Sequence, residues 1–161
     1  MKCMTDGLGL DGVCDNCGTD ENTLWVAPHH LKPRTVLSGK YIIGTVIGEG
    51  GFGITYVGWD MTLSLKVAIK EYFPIGFVTR DSTASSTVHS FSGEKGGFYT
   101  KGRDRFIKEA QRLAKFFGFP GIVAVKDVRF VIGRRQFFFI RMQIAEVADD
   151  DKFFIKIKWF I

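Results

Sequence analysis

Apolar and branched residues crowd into short runs along the middle of the chain, and the pattern then changes to a helical spacing. Residues 41–47 are rich in β-branched and aromatic side chains, as are 54–59 and 65–71. Runs of this kind predict three strands, because such side chains fit a pleated, half-buried surface. Gly48, Gly50, Gly51 and Gly53 separate the first two, and Asp60-Met61-Thr62 makes the next turn. Over 103–117, Phe106, Ile107, Ala110, Leu113, Ala114 and Phe117 recur three and four apart and predict a helix with one apolar face. Gly118 and Pro120 end it, through backbone freedom and a missing donor. Strand-like runs resume at 122–125 and 128–132.

The fold class expected from this order is α+β: a twisted antiparallel sheet of about five strands with one helix. Residues 73–100, rich in Gly, Ser and Thr, predict a long irregular connection. Residues 23–40 hold Pro28, Pro33, Ser38 and Gly39 and read as a linker. The expected organisation is a cysteine-bearing segment at 1–22, that linker, a folded unit at 41–130 and an atypical tail at 131–161.

Composition is globular, with 45% hydrophobic and 24% charged residues. A net charge of +5 suits an anionic partner but carries little weight. No basic stripe with interleaved aromatics marks a nucleic-acid surface, so no nucleic-acid partner is expected. The sequence has neither a signal-peptide pattern nor an apolar run long enough to span a bilayer. The expectation is a cytoplasmic chain without a membrane partner. Its three cysteines, an odd number, then read as thiols or metal ligands and not as a disulfide framework.

Two constellations carry chemistry. In the first, Ile47-Gly48-Glu49-Gly50-Gly51-Phe52-Gly53 contains Gly-x-Gly-x-x-Gly. Glycines let backbone N–H groups approach a polyphosphate closely. A dinucleotide fold would have the glycines open a helix, but Ile54-Thr55-Tyr56-Val57 favours a strand. A Walker loop would end in Gly-Lys-Ser/Thr, which is absent. The remaining reading, a flap between antiparallel strands, requires a lysine on the following strand, and Val67-Ala68-Ile69-Lys70 supplies it, 17 positions after Gly53. A lysine near apolar neighbours needs a carboxylate, and Glu109, at the edge of the helix's apolar face, is the candidate.

In the second, Cys14-Asp15-Asn16-Cys17-Gly18 is a Cys-x-x-Cys knuckle, with Cys3 eleven positions before Cys14. Zinc ribbons pair two such knuckles around a tetrahedral ion. Asp6 stands where the first pair's second cysteine is expected. The metal candidates are Cys3, Cys14 and Cys17 for Zn²⁺, with Asp6, His29 or His30 as the fourth ligand. A degenerate ribbon without metal and a redox pair are the alternatives, and His29 and His30 otherwise read as solvated linker residues.

The residues of the first constellation resemble the small lobe of a protein kinase, of the bacterial Ser/Thr type. Gly-Glu-Gly-Gly-Phe-Gly-Ile-Thr-Tyr at 48–56 is similar to that family's glycine-rich loop. Ala68-Ile69-Lys70-Glu71-Tyr72-Phe73-Pro74 resembles a subgroup that runs directly into Glu-Tyr-Phe-Pro. Arg105-Phe106-Ile107-Lys108-Glu109-Ala110 resembles the αC helix, and Pro120-Gly121-Ile122-Val123 the entry to the fourth family strand. The similarity covers about residues 36–130.

The resemblance implies ATP as ligand. Gly48, Gly50 and Gly53 would cover its phosphates; Glu49, Gly51, Phe52 and Ile54 are cofactor-binding candidates in the same loop, and the Thr55 methyl would touch the base. Ile47 and Ala68 would enclose the adenine, Lys70 would hold the α/β-phosphates, and Glu109 would pair with Lys70. Thr55 departs from the family's commoner Val. A protein substrate is implied by family alone. Neither His-Arg-Asp nor Asp-Phe-Gly occurs in these 161 residues, so the base Asp and the Mg²⁺ ligands are missing and no catalytic residue is assigned. The reading is an ATP-binding small lobe, inactive as this chain stands, with a non-catalytic binding module (a pseudokinase fragment) as the alternative.

From about Arg129 the family's character fades. Where an apolar strand followed by Glu and Gly is expected, Phe139-Ile140-Arg141-Met142-Gln143-Ile144 stands. Seven of the last ten residues, 152–161, are apolar. The expectation is a shift of reading frame near 127–135, with a genuine strand carrying Ile155, Ile157 and Trp159 on one face as the rival.

Overall fold

The three predicted strands form and run antiparallel: Tyr41–Gly50 (β2), Gly53–Asp60 (β3) and Leu65–Tyr72 (β4). The computed structural model describes Met4 and residues 12–116, 124–131 and 137–143. Val36–Leu37 (β1) pairs with the start of β2, inside the expected linker. Val125–Val131 (β7) and Phe137–Gln143 (β8) complete a six-stranded sheet in the order β1-β2-β3-β4-β8-β7. The sheet therefore has one strand more than the expected five, and it continues past residue 130.

The stretch 73–100 is more ordered than its composition predicts. Val78–Thr79 (β5) and His89–Ser90 (β6) form a separate two-stranded ribbon. The helix α1 spans Glu94–Ala114, starting nine residues before the predicted 103. Gly96, Gly97, Thr100 and Gly102 are poor helix formers, so local propensity hides this onset. Tertiary contacts override it: Tyr99 is buried, and the Tyr72 hydroxyl donates to the Tyr99 carbonyl at 2.9 Å. Of the predicted apolar face, Phe106 and Ala110 are buried and Leu113 packs against the core. Phe117, Gly118 and Pro120 lie outside the described residues.

Register fixes which side chains share a face, because successive residues of a strand point to opposite sides. Thr55 pairs with Lys70, Val57 with Ala68, Lys70 with Ile140 and Ala68 with Met142. This inner face is the one that meets α1, through Tyr72 and Lys70 against Phe106. Ile54, Tyr56, Ile69, Glu71 and Arg141 occupy the outer face. Residues 24–37 cover that face, with Leu31 and Leu37 in the same buried cluster as Ile54, Tyr56 and Ile69.

The atypical tail begins as sheet. Ile140 and Met142 are buried on the inner face, and Arg141 on the outer face approaches the buried Asp60 carboxylate at 3.5 Å. Residues 144–161, with the rival strand at Ile155, Ile157 and Trp159, lie outside the described residues. Among the described residues no helix is long and apolar enough to cross a membrane.

Candidate functional site: a glycine loop facing a buried lysine

The glycine-rich segment is the tip of the β2–β3 hairpin. Gly48 pairs with Thr55, Glu49 with Ile54 and Gly50 with Gly53, leaving Gly51 and Phe52 as the turn. A Cβ added at Gly48, Gly50 or Gly51 would meet nothing within 4 Å, so these backbones stand open. Gly53 is needed for a different reason: a Cβ there would lie 2.3 Å from the Glu71 carbonyl oxygen. The tip leans on the segment after β4, where Phe73 N–H donates to the Phe52 carbonyl and Ile75 N–H to the Gly51 carbonyl, each at 3.3 Å. Phe73 of the Glu-Tyr-Phe-Pro motif and the following Ile75 thus hold the loop tip.

Lys70 lies on the inner face beside Thr55, with its ammonium 5.6 Å from the centre of the Phe106 ring. Burial pushes its pKa down to about 8, against the pull of the Glu109 carboxylate, which raises it. Glu109, half-buried on α1, is raised by burial and lowered in turn by Lys70. Each therefore feels the other's charge across the sheet–helix seam. Thr55 and Ala68 are buried on this face, while Ile47 and Phe52 are exposed. Glu49 and Ile54 turn to the outer face, as strand alternation requires, so they leave the side on which Lys70 lies.

The outer face carries a polar network that sequence reasoning missed. Arg80 forms a bidentate pair with Glu71: Nη1 meets Oε1, and Nη2 meets Oε2 at 2.9 Å. The Tyr56 hydroxyl donates to Glu71 Oε2 at 3.1 Å and accepts from Leu31 N–H at 3.1 Å. Arg80 Nε also donates to the His29 carbonyl at 2.8 Å. One sequence signal pointed here: next to an inward Lys70, Glu71 must face the opposite side of a covered sheet, where a buried carboxylate needs a cation.

His30 is not a solvated linker residue, and His29, still partly exposed, is paired as well. Their Nε2 atoms lie 2.7 and 2.9 Å from the two carboxylate oxygens of Glu49, and His30 is buried. Partial burial works to raise the Glu49 pKa, but the hydrogen bonds from His30 and His29 prevail and hold it below its ordinary value. These three form a potential metal-ligand group among the described residues, with donor atoms within 4.8 Å of one another. Cys14 is buried and Cys17 exposed in the knuckle turn, where Gly18 N–H donates to the Cys14 carbonyl at 2.8 Å. Among the described residues neither thiol belongs to a group of three metal-type ligands. Cys3 and Asp6 lie outside those residues.

No protein-family model matches the chain. Over 98 residues it is 30% identical to the DNA damage-responsive serine/threonine-protein kinase RqkA of Deinococcus radiodurans, covering 61% of this chain and 11% of that protein. Over 94 residues it is 31% identical to the serine/threonine-protein kinase PksC of Streptomyces coelicolor, covering 58% of this chain and 13% of that one. The chain spans about an eighth of the length of these curated relatives. The solved structure titled "PpkA-294 apo form" is similar to it with a TM-score of 0.63 and 30% identity, over 71% of this chain and 38% of that one. Strand order, the loop-and-lysine arrangement and these similarities together identify the fold as a protein-kinase small lobe of the kind carried by bacterial Ser/Thr kinases.

Proposed function

We propose that this lobe binds the phosphates of ATP beneath the glycine loop and forms the nucleotide-binding half of a Ser/Thr protein kinase site. The observation that carries this reading is the pairing of Thr55 with Lys70 on the face that also meets Glu109 of α1. It sets a compact cation under backbone that has no side chain in the way. The open backbones of Gly48, Gly50 and Gly51 fit a polyphosphate. Lys70 would hold phosphate oxygens and Glu109 would orient Lys70. Ala68, buried on the same face, would line the adenine side with Ile47.

The same geometry sets a limit. A small lobe makes one wall of a cleft, and transfer needs a base Asp and metal ligands that these residues do not supply as His-Arg-Asp or Asp-Phe-Gly. The 161 residues alone are therefore expected to bind nucleotide weakly and to turn nothing over. Titration of the chain with Mg·ATP, followed by calorimetry and repeated on Lys70→Met, tests the reading. Weak binding that falls about tenfold in the variant supports it. Equal binding by both proteins removes Lys70 from the site, and Lys70-dependent phosphorylation by the purified chain overturns the expected inactivity.

A further inference from the structure

The glycine loop is held through the Glu49 side chain as well as through its tip. Glu49 is the middle residue of Gly48-Glu49-Gly50, and its side chain leaves on the face opposite Lys70. There both carboxylate oxygens are taken, Oε1 by His29 Nε2 at 2.7 Å and Oε2 by His30 Nε2 at 2.9 Å. We propose that His29 and His30 are positioning residues for the phosphate loop, a latch by which the segment before β1 fixes the loop over the nucleotide site. The proposal rests on the nucleotide reading above for what the loop covers.

The latch has a firm base. The His29 carbonyl accepts from Arg80, which is itself locked to Glu71, the neighbour of Lys70. The His30 carbonyl accepts from Trp25 Nε1 at 3.1 Å, and His30 N–H donates to the Ala27 carbonyl at 2.9 Å. The His29 ring stacks on Phe73, with centroids 5.6 Å apart, and Phe73 N–H holds the loop tip at Phe52. One connected set of contacts thus joins the lysine strand, the histidine pair and the loop at Glu49 and Phe52. A glycine-rich tip needs such anchors, since its backbone loses more conformational freedom on ordering than any other sequence would.

The same three side chains are a potential metal site, and the proton on His30 separates the two readings. A carboxylate only accepts, so each Nε2 must carry the proton in the observed contacts. A metal at His30 Nε2 would move that proton to Nδ1, which is buried and has no hydrogen-bond partner among the described residues. Histidine ligands ordinarily give that second N–H to an acceptor. In the observed contacts the trio acts as a hydrogen-bond latch.

The test compares amide exchange over 48–53 in the full chain, in Glu49→Ala, and in His29→Ala/His30→Ala and His29→Gln/His30→Gln double variants, without nucleotide. Glutamine keeps an N–H donor near the Nε2 position but is a poor metal ligand. The latch predicts roughly tenfold faster exchange in Glu49→Ala and in the alanine pair, with most protection restored in the glutamine pair. Glu49→Ala removes the latch from the exposed loop, so it decides the matter even where the alanine pair fails to fold. Unchanged exchange in Glu49→Ala overturns the proposal. So does protection that appears only when zinc chloride is added and that glutamine cannot restore. Mg·ATP affinity, measured on the same proteins, should weaken severalfold with the loss of protection. A wild-type chain that binds no ATP defeats the nucleotide reading, while the exchange comparison still reports on the latch.

Discussion

Arg80 and Glu71 form an ion pair closed to water on both sides, with side chains 0% and 1% exposed. Each carboxylate oxygen meets a guanidinium nitrogen, and Tyr56 and the His29 carbonyl take further places around the pair. A buried pair adds little relative to apolar residues, but losing one partner strands the other charge. Arg80→Met should therefore lower unfolding free energy by about 3–5 kcal/mol, read as a shift in the urea midpoint. Adding Glu71→Met should recover much of that loss. A single variant as stable as wild type would mean that the pair is open to solvent.

Close backbone approach gives a second prediction. Gly53→Ala puts a Cβ 2.3 Å from the Glu71 carbonyl oxygen, so either β3 or β4 must shift. Overpacking of this kind should cost about 1–3 kcal/mol in thermal or urea unfolding. Gly51→Ala, with nothing within 4 Å of the added carbon, should stay within about 0.5 kcal/mol of wild type. Equal effects at both positions would contradict the packing of the hairpin against Glu71.

What was legible in the sequence was what periodicity and short-range motif carry. The strands at 41, 54 and 65, the apolar face around Phe106 and Ala110, and the Gly-loop-to-Lys70 spacing all depend on neighbours a few residues apart. What was hidden depends on partners far along the chain. His29 and Glu49 are 20 positions apart, and Arg80 and the His29 carbonyl 51. No local pattern announces either contact. The first turns of α1, weakened by Gly96 and Gly97, form because Tyr99 is buried against Tyr72. The strand β8 was obscured because its residues depart from the family's motif while still alternating correctly, with Ile140 and Met142 inward and Arg141 outward.

That alternation yields a third prediction about the segment beyond 130. Ile140 and Met142 are each about 1% exposed and pair across β4 with Lys70 and Ala68. Replacing either by Ala should cost about 2–5 kcal/mol through lost transfer energy and the cavity left behind. A loss below about 0.5 kcal/mol in both would mean that the stretch does not complete the sheet and that its apolar character is incidental.

Lys70 makes stability depend on alkaline pH, in a direction opposite to that of a paired surface lysine. Its pKa falls from 10.5 to about 8 in the folded chain, chiefly through burial and in spite of Glu109. Below pH 8 the folded and unfolded chains both hold the proton, and the folded chain carries the full cost of a buried ammonium. Between pH 8 and 10.5 the unfolded chain binds more protons than the folded one, so stability should rise with pH across that window. The rise should approach about 3 kcal/mol at most. Lys70→Met should be more stable than wild type at pH 7 and should lack the contribution above pH 8. Urea unfolding of both proteins at pH 7 and pH 10 measures the difference, which isolates Lys70 from other alkaline titrations. If the gap between the variant and wild type stays constant with pH, Lys70 keeps an ordinary pKa and is solvated. If the gap closes as pH rises, the lysine is held as a dehydrated ammonium that an anionic ligand, such as the nucleotide phosphate proposed above, would relieve.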